Sequence, residues 1–145
     1  MGLIHAELIL KNPVSGAQMP VRALVDSGAL LLCLPHHIAL QLQLPELEKR
    51  EVTLADGSHQ LVPYVGPVEI RFANRRCFSG ALLLGDTPLL GAVPMEDLDV
   101  LIHPARQELI VNPESPHIAL APVKRIHPAS EIPCSTPMAP PLGTS

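Results

Sequence analysis

Apolar residues occur along this chain in runs of about four to eight that are rich in Leu, Val and Ile, and turn sequences separate the runs. No long segment keeps the helical spacing of apolar residues. The pattern therefore predicts short strands joined by turns, which is typical of an all-β barrel or sandwich. The predicted strands are 3–10, 19–25, 30–34, 51–55, 60–65, 68–73, 77–84, 100–102 and 108–111.

Two short helical segments interrupt these strands, and each is predicted from a proline. Pro35 is expected at the first position of a helix over 36–42, because the N–H that proline lacks would be unpaired there. Pro94 is expected to open a helical turn through 95–99, with two acidic residues near the positive end of its dipole. These helices are too short to change the predicted all-β class.

The length of 145 residues corresponds to one domain, which we place at 1–121. Six of the 17 prolines lie in 122–145, together with Ser, Thr and Gly and without periodic apolar residues. Such a composition cannot bury enough apolar surface to order the chain. The tail over 122–145 is therefore predicted to be disordered.

Composition and charge disfavour several classes of partner. Aromatic residues make up 2% of the chain and the net charge is -4, so neither base stacking nor phosphate binding is favoured, and no nucleic-acid partner is expected. The apolar runs are far shorter than the roughly 20 residues that span a bilayer, so no membrane insertion is expected. The N-terminal residues lack a signal-peptide pattern, which predicts a cytoplasmic protein.

The sequence also contains no recognisable metal or cofactor motif. Cys33, Cys77 and Cys134 are widely separated and form no Cys-x-x-Cys pair, so neither a disulfide framework nor a metal site is expected. The adjacent His36 and His37 have no third ligand at a suitable spacing. No Gly-rich phosphate loop is present in the sequence, and we expect no cofactor.

The most informative local feature is a carboxylate, Asp26, directly after an apolar strand and before the small residues Ser27, Gly28 and Ala29. Burying a carboxylate costs free energy unless partners stabilise its charge, so such a residue usually caps a turn, binds a metal or takes part in catalysis. Taken alone, Asp-Ser-Gly is also a common turn sequence. An apolar-apolar-Gly triplet, 89–91, follows much later in the chain, just before the second predicted helix.

With these two motifs in this order, the chain over about 3–112 resembles the single-lobe, retroviral-type aspartic proteases (retropepsins) and their cellular and bacterial relatives. That resemblance implies a closed, single-lobe, retropepsin-like β-barrel and a hydrolase that cleaves peptide bonds. It assigns Asp26 as the catalytic aspartate, Ser27 as the hydroxyl that braces two active-site loops, and Gly28 as the residue whose backbone approaches the substrate. Ala29 completes the motif.

The resemblance also implies a flap, a hairpin that closes over a bound peptide. Independently, Asp-Gly at 56–57 is a hairpin signal between two predicted strands, because it tolerates the positive φ of a type I′ turn. The flap candidate contains one glycine, where retroviral flaps are typically glycine-rich. The residues that the resemblance implies for substrate binding are Ala29, Ala55, Asp56, Gly57, Ser58, Leu90 and Gly91, with Leu89, Leu90 and Gly91 supporting the active-site loop from behind.

Amide hydrolysis without a metal or a covalent nucleophile needs one group that deprotonates water and another that protonates the carbonyl oxygen. Two carboxylates about 3 Å apart supply both, because they cannot both ionise and therefore share a proton. The sequence has only one Asp-Ser-Gly, at 26–28. The enzyme hypothesis thus predicts a homodimer in which Asp26 faces its symmetry copy, with a polypeptide substrate between the two chains.

Two other functions remain open from the sequence. The same fold can hold a peptide or protein without catalysis, with Asp26 as a turn or interface residue. A more specialised hypothesis is the processing of one dedicated partner, with the tail over 122–145 as a docking or self-cleavage segment. A serine hydrolase is disfavoured, because Ser27 has no His or Lys near it in sequence that would act as a base and single it out as a nucleophile.

Overall fold

The structure is a computed structural model and describes residues 3–123. Of the tail predicted over 122–145, residues 124–145 lie outside the described residues, and Cys134 lies outside them as well. The domain boundary at residue 121 and the disorder of the tail therefore stay predictions.

The described chain consists mainly of strands. The strands are β1 (His5–Lys11), β2 (Gln18–Val25), β3 (Leu32–Leu34), β4 (Glu46–Thr53), β5 (His59–Phe72), β6 (Arg75–Leu83), β7 (Leu89–Leu90), β8 (Val100–His103) and β9 (Glu108–Val111), and the helices are α1 (His36–Gln41) and α2 (Ala92–Leu98). The prediction of an all-β, single-lobe domain with one or two short helices is confirmed. Neither α1 nor α2, the helices of the described chain, is long and apolar enough to cross a membrane.

Seven of the strands form one sheet in the order β1-β2-β7-β3-β6-β5-β4. β1 also pairs with β5, where Leu10 lies opposite Ile70, so six of the strands close into a ring. β4 stands outside the ring, because it pairs with the first half of β5. The remaining two strands, β8 and β9, form a separate antiparallel hairpin. The predicted closure is thus present as a ring of paired strands.

Alternation along the strands divides the apolar residues into two clusters. The larger cluster is aliphatic and includes the fully buried Leu8, Leu10, Leu34, Ile70 and Leu90. A smaller cluster contains Cys33, Val62 and Leu82, with Val52, Tyr64 and Leu89 packed against it. Successive strand residues point to opposite faces, so the neighbours Leu89 and Leu90 belong to different clusters. The smaller cluster forms the wall of the candidate site.

The structure corrects the predicted start of the second helix. The helix begins at Ala92, so Pro94 lies inside its first turn and the acidic residues Glu96 and Asp97 lie nearer its C-terminal end. The expected interaction of these two carboxylates with the positive end of the helix dipole was therefore wrong. At the first helix, Pro35 is the N-cap residue and the helix spans His36–Gln41, within one residue of the prediction.

The two strands predicted over 60–65 and 68–73 are one strand, β5. Its pairing with β6 shifts register between Val65 and Val68, around a cis peptide bond between Gly66 and Pro67. β4 likewise starts five residues earlier than predicted, at Glu46, with a register irregularity between Glu46 and Glu48. The hairpin of β4 and β5 therefore has irregular pairing in both strands near its base.

Candidate active site

Asp26 is the first residue after β2, and hydrogen bonds fix both its backbone and its carboxylate. Its N–H donates to the carbonyl oxygen of Leu90 at 3.0 Å, and its carbonyl oxygen accepts from the N–H of Ala29 at 3.1 Å. The carboxylate Oδ1 accepts from the N–H of Gly28 at 2.9 Å. Asp26 is half-buried, so its carboxylate is held in place and still reaches the surface.

The segment of Leu90 and Gly91 lies directly behind this loop. β7 pairs in parallel with β2, and the N–H groups of Ala92 and Val93 donate to the carbonyl oxygens of Ala29 and Leu30 at 2.8 and 2.9 Å. The segment that begins α2 and the segment that bears Asp26 are thus joined by backbone hydrogen bonds on both sides of Gly91.

Close approach requires a glycine at position 91. A Cβ there would lie 2.4 Å from the carbonyl oxygen of Leu31 and 2.7 Å from the carbonyl carbon of Leu30. Leu90 and Gly91 are both buried and lie directly behind the Asp26 loop. The roles expected for these residues from the sequence, in support of the loop and in substrate binding, stay predictions.

The other residues of the motif are more accessible. Ser27 and Gly28 are exposed and Ala29 is half-buried. A Cβ at Gly28 would lie 3.1 Å from Asp26 Oδ1, so a side chain there would press on the carboxylate. Within the described chain the Ser27 hydroxyl makes no hydrogen bond, and the bracing role assigned to it from the sequence would need a group outside this chain.

Two neighbouring cavities lie in this region, one of them lined in part by Gly28 and Ala29 of the Asp26 loop, and Asp26 itself lines neither. The loop-side cavity, of about 380 Å³, has walls that include Leu24, Cys33, Leu84, Pro88 and Leu89. The hairpin-side cavity, of about 370 Å³, has walls that include Gly28, Leu31, Cys33, Arg50, Val52 and Leu82. Both cavities share Cys33 and Leu84, and their walls are largely aliphatic.

The predicted flap tip lies away from these cavities. Ala55, Asp56, Gly57 and Ser58 are exposed at the turn of the β4–β5 hairpin, and none of them lines either cavity. Asp56 Oδ1 accepts from the N–H and the hydroxyl of Ser58 at 2.9 and 2.6 Å, which lowers the pKa of Asp56. The sequence missed that the cavity wall comes from 50–53 on β4.

Cys33 lies at the centre of the smaller apolar cluster and close to the candidate aspartate. Burial, and after it the negative charge of Asp26, raises the pKa of the Cys33 thiol. The thiol is therefore neutral at physiological pH and contributes an apolar surface to both cavities.

A side-chain network fixes the far end of α2. Asp99, the C-cap residue, has a left-handed backbone conformation with φ of 56°. Its carboxylate accepts from the Ser115 hydroxyl at 2.5 Å, the Leu120 N–H at 2.8 Å and the Asn112 side chain at 3.0 Å. These hydrogen bonds, with the guanidinium of buried Arg75 3.8 Å away, lower the pKa of Asp99 to about 2. The segment over 112–120 is thereby tied to the helix that supports Asp26.

The described residues contain no group of three or more His, Cys, Asp and Glu side chains that could hold a metal ion. His36 and His37 are both exposed on α1. Asp26 is thus a half-buried, hydrogen-bonded carboxylate on a loop whose Gly28 and Ala29 line an aliphatic cavity.

Comparison with solved structures finds 35 similar chains. The simian foamy virus (mac) protease, whose structure was determined in solution, is similar with a TM-score of 0.47 and 16% sequence identity, over 63% of this chain and 90% of that chain. No protein-family model matches the sequence, and no curated protein matches it.

Proposed function

We propose that this chain is a retroviral-type aspartic endopeptidase that acts as a homodimer on an extended polypeptide. The observation that carries the proposal is the Asp26 carboxylate, which accepts from the N–H of Gly28 on a loop that is tied to Leu90 through the Asp26 N–H. Gly28 and Ala29 of the same loop line the aliphatic hairpin-side cavity. A carboxylate held this way is oriented before a substrate arrives, which is what general acid–base catalysis requires.

In the proposed dimer, the Asp26 carboxylates of the two copies share one proton. The ionised carboxylate takes a proton from water, whose oxygen adds to the scissile carbonyl carbon. The protonated carboxylate gives its proton to the carbonyl oxygen, which yields a neutral tetrahedral gem-diol. The ionised carboxylate then accepts one hydroxyl proton of the gem-diol while the protonated carboxylate gives its proton to the leaving nitrogen. The C–N bond breaks, a carboxylic acid and an amine leave, and the dyad again holds one proton.

The remaining site residues act as supports in this mechanism. The Ser27 hydroxyl, which makes no hydrogen bond within the described chain, would brace the loop of the second copy. Gly28 leaves room beside the carboxylate, and Gly91 lets the loop pack against α2. The two aliphatic cavities would take side chains of an extended substrate, whose backbone can pair with strand edges of the site.

The test combines oligomeric state with cleavage of a degenerate peptide library at mildly acidic to neutral pH. Wild type is expected to dimerise and cleave, and Asp26→Asn is expected to lose about 10²- to 10⁴-fold in rate because it cannot supply the shared proton. Asp97→Asn, an exposed acid on α2, serves as the charge-matched control.

Mixing the two chains tests whether the site is shared. Excess Asp26→Asn chain should suppress wild-type activity by forming inactive mixed dimers, whereas excess Asp97→Asn chain should not. A chain that stays monomeric and cleaves nothing would refute the peptidase and favour the alternative, a non-catalytic peptide- or protein-binding module on the same fold.

A further inference from the structure

Arg50 stands out among the residues that line the candidate site. Of the described residues around the two cavities, it alone is a lysine or arginine. It lies on β4 with Val52 on the same face, because strand residues two apart point the same way. Its side chain is 42% exposed, so its guanidinium can reach both the cavity and solvent.

Two neighbours hold the Arg50 guanidinium in place. Its Nε donates to Glu48 Oε2 at 2.6 Å, and its Cζ lies 4.0 Å from the centroid of the Tyr64 ring. The Tyr64 ring in turn packs over Gly80 on β6, where a Cβ would lie 2.2 Å from a ring carbon. This packing orders a long side chain before any ligand binds, which lowers the entropy that binding would cost.

The terminal nitrogens of Arg50 remain available. Within residues 3–123, neither Nη atom donates a hydrogen bond to the protein. A planar guanidinium with free Nη donors matches the two oxygens of a carboxylate. Glu51 is the other charged residue that lines the hairpin-side cavity, and its carboxylate lies 3.5 Å from His59 Nδ1. The ion pair of Arg50 is with Glu48 and uses its Nε.

We propose that Arg50 is a specificity-determining residue that selects peptides with an acidic side chain beside the aliphatic residue that enters the hairpin-side cavity. The inference rests on the proposed function, because it treats this cavity as part of the peptide site. The substrate class is thus an extended peptide that combines aliphatic and acidic residues.

The test uses peptides built on one cleaved sequence, with Glu, Gln or Lys at each position within four residues of the scissile bond. For wild type, kcat/KM at one of these positions should be about threefold to tenfold higher with Glu than with Gln, and the preference should weaken at high salt. Arg50→Gln should remove the Glu-to-Gln ratio, and Arg50→Glu should invert it in favour of Lys.

Lys49→Glu is the matched control. Lys49 is the neighbouring cation on β4, it pairs with Glu46 at 3.5 Å, and it does not line the hairpin-side cavity. The Lys49→Glu variant changes the net charge by the same amount as Arg50→Glu, and its Glu-to-Gln ratio of kcat/KM should equal that of wild type. An unchanged ratio in Arg50→Gln, or an equal shift in Lys49→Glu, would overturn the proposal.

A binding measurement separates this proposal from the proposed function. Fluorescence anisotropy with Asp26→Asn protein and the same labelled peptides reports recognition without cleavage. If wild type cleaves no peptide but Arg50 still sets a preference for Glu in binding, the peptidase fails and the role of Arg50 stands. If cleavage is present and neither kcat/KM nor binding depends on Arg50, the role of Arg50 fails alone.

Discussion

The N–H of Asp26 donates to the carbonyl oxygen of Leu90 at 3.0 Å, which links two segments that lie 64 residues apart in the chain. This hydrogen bond belongs to the short parallel pairing of β2 with β7. Gly91, the residue after Leu90, packs closely against the backbone of Leu30 and Leu31, which follow the Asp26 motif. The position of the carboxylate therefore depends on a segment far away in sequence, and substitutions there should affect the site.

Gly91→Ala and Gly28→Ala should have different effects. At Gly91 the new Cβ meets backbone atoms at 2.4–2.7 Å that cannot move aside, so we expect a loss of about 1–3 kcal/mol in the free energy of unfolding. At Gly28 the Cβ meets only Asp26 Oδ1 at 3.1 Å, so stability should change less while peptide cleavage falls. Urea denaturation and kcat measure the two effects.

Equal losses of stability in both variants would contradict this distinction. A Gly91→Ala variant as stable as wild type would also contradict it, because the backbone around position 91 would then have room for a Cβ.

Asp99 should stabilise the fold in a pH-dependent way. The pKa of its carboxylate is about 2 in the folded protein and 3.8 as the reference for the unfolded chain, so unfolding takes up a proton between these values. The stabilisation is fully present above about pH 4 and is lost as the pH falls through about 2. Thermal unfolding of wild type and Asp99→Asn across this range should show a difference that shrinks toward low pH.

The control for Asp99 is Asp97→Asn on the same helix, whose side chain is exposed. Its effect on the unfolding temperature should be smaller at every pH. A constant difference between wild type and Asp99→Asn from pH 2 to pH 7 would rule out the carboxylate as its source.

The two described cysteines should differ in how a bound peptide affects them. Burial, and after it the charge of Asp97, raises the pKa of Cys77 to about 12, and Cys33 is raised in the same direction by burial and Asp26. In a Cys134→Ser chain, both thiols should react slowly with iodoacetamide at pH 7 and quickly in urea.

Of the two cysteines within residues 3–123, only Cys33 lines the two cavities. A bound peptide should therefore slow the labelling of Cys33 and leave Cys77 unchanged, as mass spectrometry of the labelled peptides would show. Equal protection of both thiols would indicate a global stabilisation and not occupancy of the cavities.

A buried amide at Asn12 offers a test of the fold that does not depend on activity. Its Nδ2 donates to the carbonyl oxygens of Leu42 and Gln43, both at 3.0 Å, and the residue is 3% exposed. In Asn12→Asp a carboxylate would face these carbonyls without a proton to donate, so unfolding should be easier by about 1–3 kcal/mol at neutral pH.

Protonation restores a donor to the Asn12→Asp side chain. The folded-state pKa of the new carboxyl should therefore be raised, and its destabilisation should lessen as the pH falls through that value. Asn74→Asp, which loses one donor to an exposed carbonyl, is the control with a smaller expected effect. Urea denaturation at several pH values gives the comparison.

The sequence allowed prediction of those features that local residues determine. Most strands, a turn that contains Asp56 and Gly57, and the position of Asp26 at the end of a strand follow from alternation and turn preferences. The expected type I′ turn was wrong, because Gly57 has a positive φ and Asp56 does not. The early start of α2 could not be predicted, because the N–H groups of Ala92 and Val93 find their acceptors in the distant Asp26 loop.

The cavity wall on β4 was missed for a similar reason. Arg50 in sequence is one of several charged residues in a polar strand, and nothing local separates it from Lys49. Its place in the site depends on the register of β4 with β5 and on the position of the Tyr64 ring. Such relations exist only after the sheet has formed.

The ring of strands also constrains the order in which the protein can form. β1 pairs with β5 across about sixty residues, and β2 receives its partner β7 only after residue 90 has been made. Contacts of such sequence separation slow folding. A growing chain on the ribosome that has not reached Leu90 has no acceptor for the Asp26 N–H, so the candidate site cannot assemble before that residue has been made.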